Sequence, residues 1–163
     1  MGDALAVSLL EIRGFNKEDF AELHPGGMLG KRLLLTLDQI VHTGDDIPFV
    51  TSSTSIKDAL LTISEKGLGM TGVLNDEDEI IGIITDGDIR RAIEKGGNDL
   101  FDQTAEFLMS GNPKWVTADT LAISALELME KHAITSLFVY SNADLKKPDG
   151  IVHIHDILRS GVQ

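Results

Sequence analysis

Two polar side chains stand where an apolar stretch gives way to a helix-like one, in residues 82–91, GIITDGDIRR. Thr85 ends the apolar stretch, and Asp88 follows in the first turn of the predicted helix. A carboxylate accepts hydrogen bonds from adjacent hydroxyls such as a ribose diol, and free N–H groups at a helix start favour an anion. Thr85 and Asp88 are therefore candidates for binding a phosphorylated sugar or nucleotide, with Arg90 and Arg91 as candidates for its phosphate. The same residue types also suit helix capping and a solvated helix face.

A second stretch of the chain repeats this pattern. Residues 150–159, GIVHIHDILR, match residues 82–91 at an offset of 150 − 82 = 68. Upstream, SIKDALLTISEKGLGMTGVL matches LAISALELMEKHAITSLFVY at an offset of 139 − 73 = 66. The difference of 68 − 66 = 2 residues falls between Val139 and Gly150, in a polar stretch typical of a turn, where insertions are tolerated. We therefore predict two copies of one structural unit.

Each copy has the same predicted order of elements. A strand lies near Val50 or Val116, and residues suited to capping a helix follow it at 51–55 and 117–120. Ser53 and Thr54, at the first of these helix starts, are further ligand-binding candidates. The helices would bury Ile56, Ala59, Leu60 and Ile63 in the first copy, and Ile123, Leu126 and Met129 in the second. The first copy is completed by strands at 70–74 and 80–84 and a helix at 88–94. The second copy is completed by strands at 136–140 and 150–154 and a helix at 156–160. The predicted fold class is α/β (α+β), with two β-α-β-β-α repeats.

The second copy differs at the position of Thr85, where His153 stands. A histidine can still donate a hydrogen bond, and its charge changes near neutral pH. His153 and Asp156 are therefore candidates for a second, altered ligand site. His153 and His155 would also alternate along a strand and point to one face, as a pair of metal ligands does. Capping and packing are the favoured interpretation of these side chains, so no metal site is predicted.

The composition restricts the partners and the chemistry of this protein. With 26 acidic and 14 basic residues the net charge is −12, whereas nucleic acids and anionic membranes require a basic patch. The chain has no cysteine, which excludes disulfides, thiolate chemistry and cysteine-based zinc sites. No apolar stretch approaches the length of a membrane span, and no signal segment opens the chain. We expect a cytoplasmic protein without nucleic-acid or membrane partners.

The order of elements and the strand-end pattern G-h-h-T-x-x-D at residues 82–88 resemble those of a tandem pair of CBS (cystathionine-β-synthase) domains. The resemblance covers roughly residues 38–92 and 106–161. It implies two sheets packed about a pseudo-twofold axis, with nucleotides bound in the clefts between the repeats. We expect one domain at residues 37–95 and a second at 104–163.

The residues before this pair carry another resemblance. Residues 3–13, DALAVSLLEIR, predict a helix that is apolar on nearly every side. Such a helix belongs inside a larger core, so we expect the natural protein to continue upstream. Residues 1–36 would be a helical remnant and linker. The sequence MGDALAVSLLEIRGFNKEDFAELHPGGMLGKRLLL resembles the join between a sugar-isomerase (SIS) domain and a CBS pair in D-arabinose-5-phosphate isomerases of the KpsF/GutQ type.

This resemblance implies a role for His24, in the segment His-Pro-Gly-Gly. The family counts the corresponding histidine among the catalytic residues of the parent enzyme. The residues alone favour a helix C-cap instead, where a cation meets the negative end of the helix dipole. The family's catalytic lysine and two glutamates lie in the SIS domain and have no matching positions here. We therefore expect this chain alone to be inactive as an isomerase, because a general base must lie within reach of the substrate proton.

Three functions are compatible with the sequence. The main hypothesis is the regulatory CBS pair of an enzyme that interconverts ribulose 5-phosphate and arabinose 5-phosphate for Kdo, lipopolysaccharide or capsule synthesis. It would need no cofactor but would sense a nucleotide or a sugar nucleotide such as CMP-Kdo. The alternatives are a stand-alone CBS pair that senses adenine nucleotides, and a structural dimerisation module. The resemblance also implies self-association as a dimer, within a tetramer of the parent enzyme.

Overall fold

A computed structural model describes residues 34–141 and 146–162, the side chains of 96–99 excepted. The predicted helix at 3–13 and His24 lie outside the described residues. The strands are β1 His42–Thr43, β2 Phe49–Thr51, β3 Met70–Leu74, β4 Ile80–Thr85, β5 Trp115–Thr117, β6 Ser136–Tyr140 and β7 Gly150–His153. The helices are α1 Ile56–Lys66, α2 Asp86–Gly96, α3 Ala105–Leu108, α4 Ala122–His132 and α5 Ile154–Arg159, with turns of 3-10 helix at Leu37–Gln39, Gly44–Asp46 and Gly97–Asp102.

The two predicted β-α-β-β-α repeats are confirmed. The first consists of β2, α1, β3, β4 and α2, and the second of β5, α4, β6, β7 and α5. In each repeat the first strand is parallel to the second, which is antiparallel to the third. The repeats form two sheets, in the orders β2-β3-β4 and β1-β7-β6-β5.

Both final helices begin two residues earlier than predicted, at Asp86 and Ile154. His155 therefore lies in α5, and the predicted alternation of His153 and His155 along a strand is wrong. The physical reason is capping. His153 ends β7, and its Nδ1 accepts a hydrogen bond of 3.2 Å from the backbone N–H of His155. This side chain starts the helix in place of a hydroxyl.

The helix starts after the first strands differ between the repeats. In α1 the cap is a side chain as predicted, because Ser55 accepts a hydrogen bond of 3.1 Å from the N–H of Asp58. In α4 the N-cap is Leu121, which has no side-chain cap. The prediction that residues 117–120 cap this helix is therefore wrong. The N–H of Ala122 donates instead to the carbonyl oxygen of Leu35, at 2.8 Å.

The segment that precedes each repeat crosses over to the other repeat. Leu37 is fully buried in the second repeat's core, and Ala105 is fully buried in the first repeat's core. The pairings correspond as well: His42 lies opposite Ile151 in the second sheet, and Ser110 lies opposite Ile83 in the first. Both pairs of positions differ by 68, the offset of the repeat (110 − 42 and 151 − 83). Each repeat thus contributes core and strand residues to the other, and these contacts hold the two repeats together.

Two glycines make room for these crossing segments. A Cβ added at Gly82 would lie 2.8 Å from Sδ of Met109 and 2.9 Å from the carbonyl oxygen of Ser110. A Cβ added at Gly150 would overlap Cγ2 of Val41. The glycine of the G-h-h-T-x-x-D pattern is therefore required by close packing between the repeats.

A third group of buried residues forms the seam between the two sheets. Met70 and partly buried Ile83 from the first repeat meet Phe138, Tyr140 and Ile151 from the second. The rings of Phe49 and Phe138 stack with their centroids 6.1 Å apart. This apolar seam fixes the two repeats side by side and shapes the space at its edges. In the part of the chain that the structure describes, no helix has the length and apolar character needed to cross a membrane.

Candidate functional site

Thr85 and Asp88 form a closed hydrogen-bonded pair at the start of α2. The Thr85 hydroxyl donates to Oδ2 of Asp88 at 2.6 Å, and the Thr85 N–H donates to the same oxygen at 2.9 Å. The Asp88 N–H donates back to the Thr85 hydroxyl at 3.2 Å. The pair therefore caps α2, which was one of the two alternatives left open by the sequence, and it also holds a carboxylate in a fixed orientation.

The surroundings keep this carboxylate charged. Burial alone would raise the pKa of Asp88, but the hydrogen bonds from the Thr85 hydroxyl and N–H, together with Arg91, lower the pKa below its ordinary value. Nη2 of Arg91 lies 2.6 Å from Oδ1 of Asp88. Arg91 is 59% exposed whereas Asp88 is 14% exposed. The arginine can therefore turn away while the carboxylate stays in place.

Thr85, Asp88 and Arg91 line one cleft between the two repeats. Its volume is about 580 Å³, within the range of roughly 300–1,000 Å³ typical of small-molecule sites. The first repeat contributes one wall and the second repeat contributes the other. The lining residues from the first repeat are Gly69, Met70, Ile83, Thr85, Asp86, Gly87, Asp88 and Arg91; those that follow them in the chain are Ser110, Asn112, Pro113, Lys114, Ala133, Ile134, Thr135, Ser136 and Phe138.

The wall of the cleft that the second repeat contributes was not predicted from the sequence. Lys114 adds a cation to the lining of this cavity, and the segment 133–136 adds hydroxyls and a small apolar surface. The offset of 66 aligns 133–136 with residues 67–70, which lead into β3. Because 133–136 and the motif at 82–88 belong to different repeats, only the packing of the two repeats reveals that they line one cavity.

His153 and Asp156, the second predicted pair, lie at the start of α5 but do not repeat the first geometry. Asp156 Oδ2 accepts a hydrogen bond of 2.8 Å from Nε2 of His42. The His153 ring lies beside that of His155, with the centroids 4.9 Å apart. Burial, followed by the nearby charge of His155, lowers the pKa of His153 below its ordinary value, although Asp156 acts in the opposite direction. No pattern in the sequence predicted His42 as the partner of Asp156.

Three other predicted residues lie outside the lining of this cleft. Ser53 and Thr54 stand in the turn after β2, where each hydroxyl lies within hydrogen-bond distance of the Thr51 hydroxyl, at 3.2 and 2.9 Å. Arg90 is exposed on α2. The structure therefore does not bring these three together with Thr85 and Asp88, and their role in binding stays a prediction.

His153 ends β7, and His155 lies in α5. Within residues 34–141 and 146–162, no three side chains of histidine, aspartate or glutamate come together as metal ligands. The groups that line the first cleft suit the recognition of a ligand. The cleft offers a fixed carboxylate, two cations, hydroxyls and apolar surface to one small molecule.

The family model described as CBS domain matches residues 38–95 and 105–162. Arabinose 5-phosphate isomerase KdsD is similar over 162 residues, with 46% identity for the protein of Pseudomonas aeruginosa, 48% for that of Salmonella typhimurium and 47% for that of Escherichia coli. These alignments include 99% of this chain but 49%, 48% and 48% of the three relatives. The chain thus spans about half the length of the curated relatives it matches.

Solved structures share this fold. A CBS-domain containing protein from Agrobacterium tumefaciens has a TM-score of 0.71 at 20% identity, covering 80% of this chain and 96% of that one. The CBS domain pair of a protein in complex with 5′-methylthioadenosine and S-adenosyl-L-methionine has a TM-score of 0.67 at 22% identity, covering 77% and 94%. The protein CBSX2 in complex with AMP has a TM-score of 0.63 at 24% identity, with the same coverage.

Proposed function

Because this chain belongs to the CBS-domain family, with one copy at residues 38–95 and another at 105–162, we propose that it binds a nucleotide or sugar nucleotide in the cleft between its repeats and thereby regulates a D-arabinose-5-phosphate isomerase. The isomerase is the activity named for relatives that are 46–48% identical along nearly the whole chain. In this proposal the chain forms the regulatory part of the longer enzyme. The parent reaction interconverts ribulose 5-phosphate and arabinose 5-phosphate.

The observation that carries the binding proposal is the combination of groups around one cavity. A carboxylate that is 14% exposed lies beside an arginine that is 59% exposed, and Lys114 of the other repeat lines the same cavity. Such a set suits a molecule with neighbouring hydroxyls at one end and phosphate at the other. The apolar side chains of Met70, Ile83 and Phe138 along the same cavity suit the face of a planar base.

Each part of a nucleotide has a partner in this arrangement. The ribose hydroxyls would donate to Asp88, because an ionised carboxylate accepts several hydrogen bonds. The phosphate would lie near the first N–H groups of α2 and draw Arg91 away from Asp88. Gly87 keeps this approach open, since an added Cβ would lie 3.2 Å from Nη1 of Arg91 and 3.6 Å from Oγ1 of Thr85. Lys114 would contribute the second positive charge.

The position of the cleft explains how binding would act on an enzyme. Its walls come from both repeats, so a ligand that contacts both favours the relative placement of the repeats that suits it best. A ligand shifts this balance only as far as its affinities for the two placements differ. A sugar nucleotide made from the isomerase product, such as CMP-Kdo, would serve as a feedback signal.

Isothermal titration calorimetry with AMP, ATP, CMP and CMP-Kdo tests the binding proposal. We expect one of them to bind saturably and Asp88→Asn to weaken it by at least roughly tenfold, since a lost charge-assisted hydrogen bond costs ~1.5–3 kcal/mol. Asp119→Asn is the matched control, because Asp119 is an exposed acid outside the cleft. Equal affinity for Asp88→Asn and the control would overturn the assigned site. Absence of binding by all four would favour a structural dimerisation module, and binding without any isomerase effect would favour a nucleotide sensor.

The regulatory part of the proposal needs the longer protein. We expect the 163-residue chain to show no turnover of ribulose 5-phosphate, because the lysine and glutamates of the family's active site have no counterparts in it. In the full-length enzyme, the ligand found by calorimetry should change kcat or KM. Asp88→Asn should abolish that change while leaving the basal rate intact. A ligand effect that survives Asp88→Asn contradicts regulation through this cleft.

A further inference from the structure

Asp156, the carboxylate that corresponds to Asp88, already has a partner within the chain. Nε2 of His42 lies 2.8 Å from Oδ2 of Asp156, although 114 positions separate the two residues. The imidazole is 35% exposed and the carboxylate 22% exposed, so the contact is partly shielded from water. His42 lies on β1, and its backbone is held opposite Ile151 of β7 in the second sheet. The sheet therefore places this histidine against the start of α5.

The corresponding position in the first cleft holds a much smaller side chain. His42 corresponds to Ser110 at the repeat offset of 110 − 42 = 68. The N–H and carbonyl groups of Ser110 pair with those of Ile83 at 2.8 and 2.9 Å, so its backbone takes the place that β1 takes in the other sheet. Ser110 lines the open cavity beside Asp88. At this pair of matching positions the backbone pairing is the same and the side chain differs.

The residues at the ends of β4 and β7 also differ between the two repeats. Thr85 directs its hydroxyl at Asp88 and fixes that carboxylate at the cavity. At the corresponding position, His153 uses Nδ1 to accept the N–H of His155. Asp156 is therefore positioned from the other repeat, by His42, where Asp88 is positioned by its own repeat. A ligand hydroxyl that binds Oδ2 of Asp156 would have to displace the imidazole.

From these contacts we infer that His42 acts as a built-in occupant of the second cleft, so that each chain takes up one nucleotide, in the cleft of Asp88. This inference rests on the nucleotide binding proposed above. A ligand that must break the contact between His42 and Asp156 loses affinity on the order of ten- to hundred-fold relative to one that meets Asp88, whose partner Arg91 is 59% exposed and would bind the phosphate of the ligand. His42 is thus a residue that determines which of the two corresponding carboxylates, Asp88 or Asp156, a ligand can reach.

Stoichiometry and matched substitutions test this inference. With AMP or CMP as the titrant, we expect one equivalent per chain, a loss of binding with Asp88→Asn and unchanged binding with Asp156→Asn. Ser110→His introduces an imidazole at the matching position, and we expect it to weaken binding by roughly tenfold or more. Ser110→Ala, which removes only the hydroxyl, is its control. Two equivalents per chain, weaker binding by Asp156→Asn, or wild-type affinity in Ser110→His would each overturn the inference.

A ligand-free measurement separates this inference from the proposed function. Thermal unfolding of His42→Ala, Asp156→Ala and the double variant forms a double-mutant cycle. We expect the double variant to lose clearly less in Tm than the sum of the single losses, because either substitution already breaks the contact. Losses that simply add contradict the built-in occupant, even if nucleotides bind. Non-additive losses with no nucleotide binding would instead support the contact and reject the proposed function.

Discussion

The hydroxyl of Thr85 lies 2.6 Å from Oδ2 of Asp88, whereas the histidine at the matching position, His153, turns its ring nitrogen to the backbone of His155 at 3.2 Å. The charges at the two similar helix starts therefore differ because of one residue at the end of the preceding strand. In the first repeat the strand-end residue stabilises a charged carboxylate. In the second repeat it is itself a titratable group whose charged form is disfavoured.

Thr85→Val should raise the pKa of Asp88. The variant removes the hydroxyl that donates to this carboxylate, while the backbone N–H and Arg91 remain. Because the pKa of Asp88 is lowered in the folded state, its stabilising contribution is complete above the unfolded value of about 3.9 and is lost as the pH falls through the folded value. Because the folded and unfolded pKa values lie closer together in the variant, we expect it to lose less stability than the wild type as the pH falls through this range.

A carbon-detected NMR titration of the Asp88 carboxyl measures this change directly. Thr117→Val is the matched control, since it removes an exposed threonine hydroxyl whose partner is the Thr120 hydroxyl, at 3.2 Å. The control should leave the Asp88 titration unchanged. If Thr85→Val also leaves it unchanged, the hydroxyl does not stabilise the charged form.

His153→Gln should reduce the loss of stability on mild acidification. Burial and the charge of His155 lower the pKa of His153 in the folded state, so the unfolded chain binds the proton more readily. The wild-type protein should therefore lose stability as the pH falls from 7 through about 6.5 toward the lower folded pKa. A glutamine cannot take up this proton, so the variant should lose less.

Urea unfolding at pH 7.5 and 5.5 compares the two proteins. His132→Gln is the control, because His132 is exposed at the end of α4 and should leave the pH dependence as in the wild type. If the free energy of unfolding depends equally on pH in the wild type and in His153→Gln, other groups cause this dependence.

The repeat made most of the fold predictable from the sequence. The periodic apolar residues and the turn between β6 and β7 give the strands and the long helices, and the comparisons confirm the resemblance to CBS pairs and to D-arabinose-5-phosphate isomerases. Local signals failed where a partner distant in the chain supplies the interaction. At the start of α4, the N–H of Ala122 donates a hydrogen bond to the carbonyl oxygen of Leu35, at 2.8 Å. No residue close to Ala122 in the sequence indicates this bond.

The candidate site was predictable only on one side, for the same reason. Thr85 and Asp88 lie three positions apart, so their joint role follows from local spacing. Lys114 and the pairing of His42 with Asp156 depend on how each segment crosses to the opposite repeat. A sequence repeat shows that two units exist, but their relative placement is decided by the packing of the apolar seam.

Gly82→Ala should destabilise the protein. The added methyl would lie 2.8 Å from Sδ of Met109 and 2.9 Å from the carbonyl oxygen of Ser110. The methionine can move, but the carbonyl oxygen belongs to the backbone that pairs with Ile83. We expect a loss of about 1–3 kcal/mol in the free energy of unfolding, as for other overpacked sites.

Chemical denaturation measures this loss. Gly111→Ala is the control, because nothing lies within 4 Å of a Cβ at that position, and it should change stability by under about 0.5 kcal/mol. Gly82→Ala should also weaken nucleotide binding, since Ser110 lines the cleft. If Gly82→Ala is as stable as the control, the segment at Met109 and Ser110 can move to make room for the methyl without a loss of stability.

Ala133→Gly should stabilise the protein. Ala133 ends α4 with φ 52° and ψ 45°, in the left-handed region, where a Cβ costs roughly 1–2 kcal/mol. The matching position in the first repeat is Gly67, with φ 67° (133 − 66 = 67). Glycine loses more entropy on folding, which offsets part of the gain. We expect a net increase of about 0.5–1 kcal/mol in the free energy of unfolding.

Gly67→Ala is the reciprocal variant, and it should lose a similar amount, since nothing lies within 4 Å of its added Cβ and only the backbone conformation is at stake. Differential scanning calorimetry of both variants distinguishes strain from packing. Ala133 also lines the cleft, so its methyl contributes to the surface offered to a ligand. A stabilised Ala133→Gly that binds AMP or CMP more weakly would show that the strain is retained for this contact, whereas an unchanged Tm in both variants would contradict the assignment of strain.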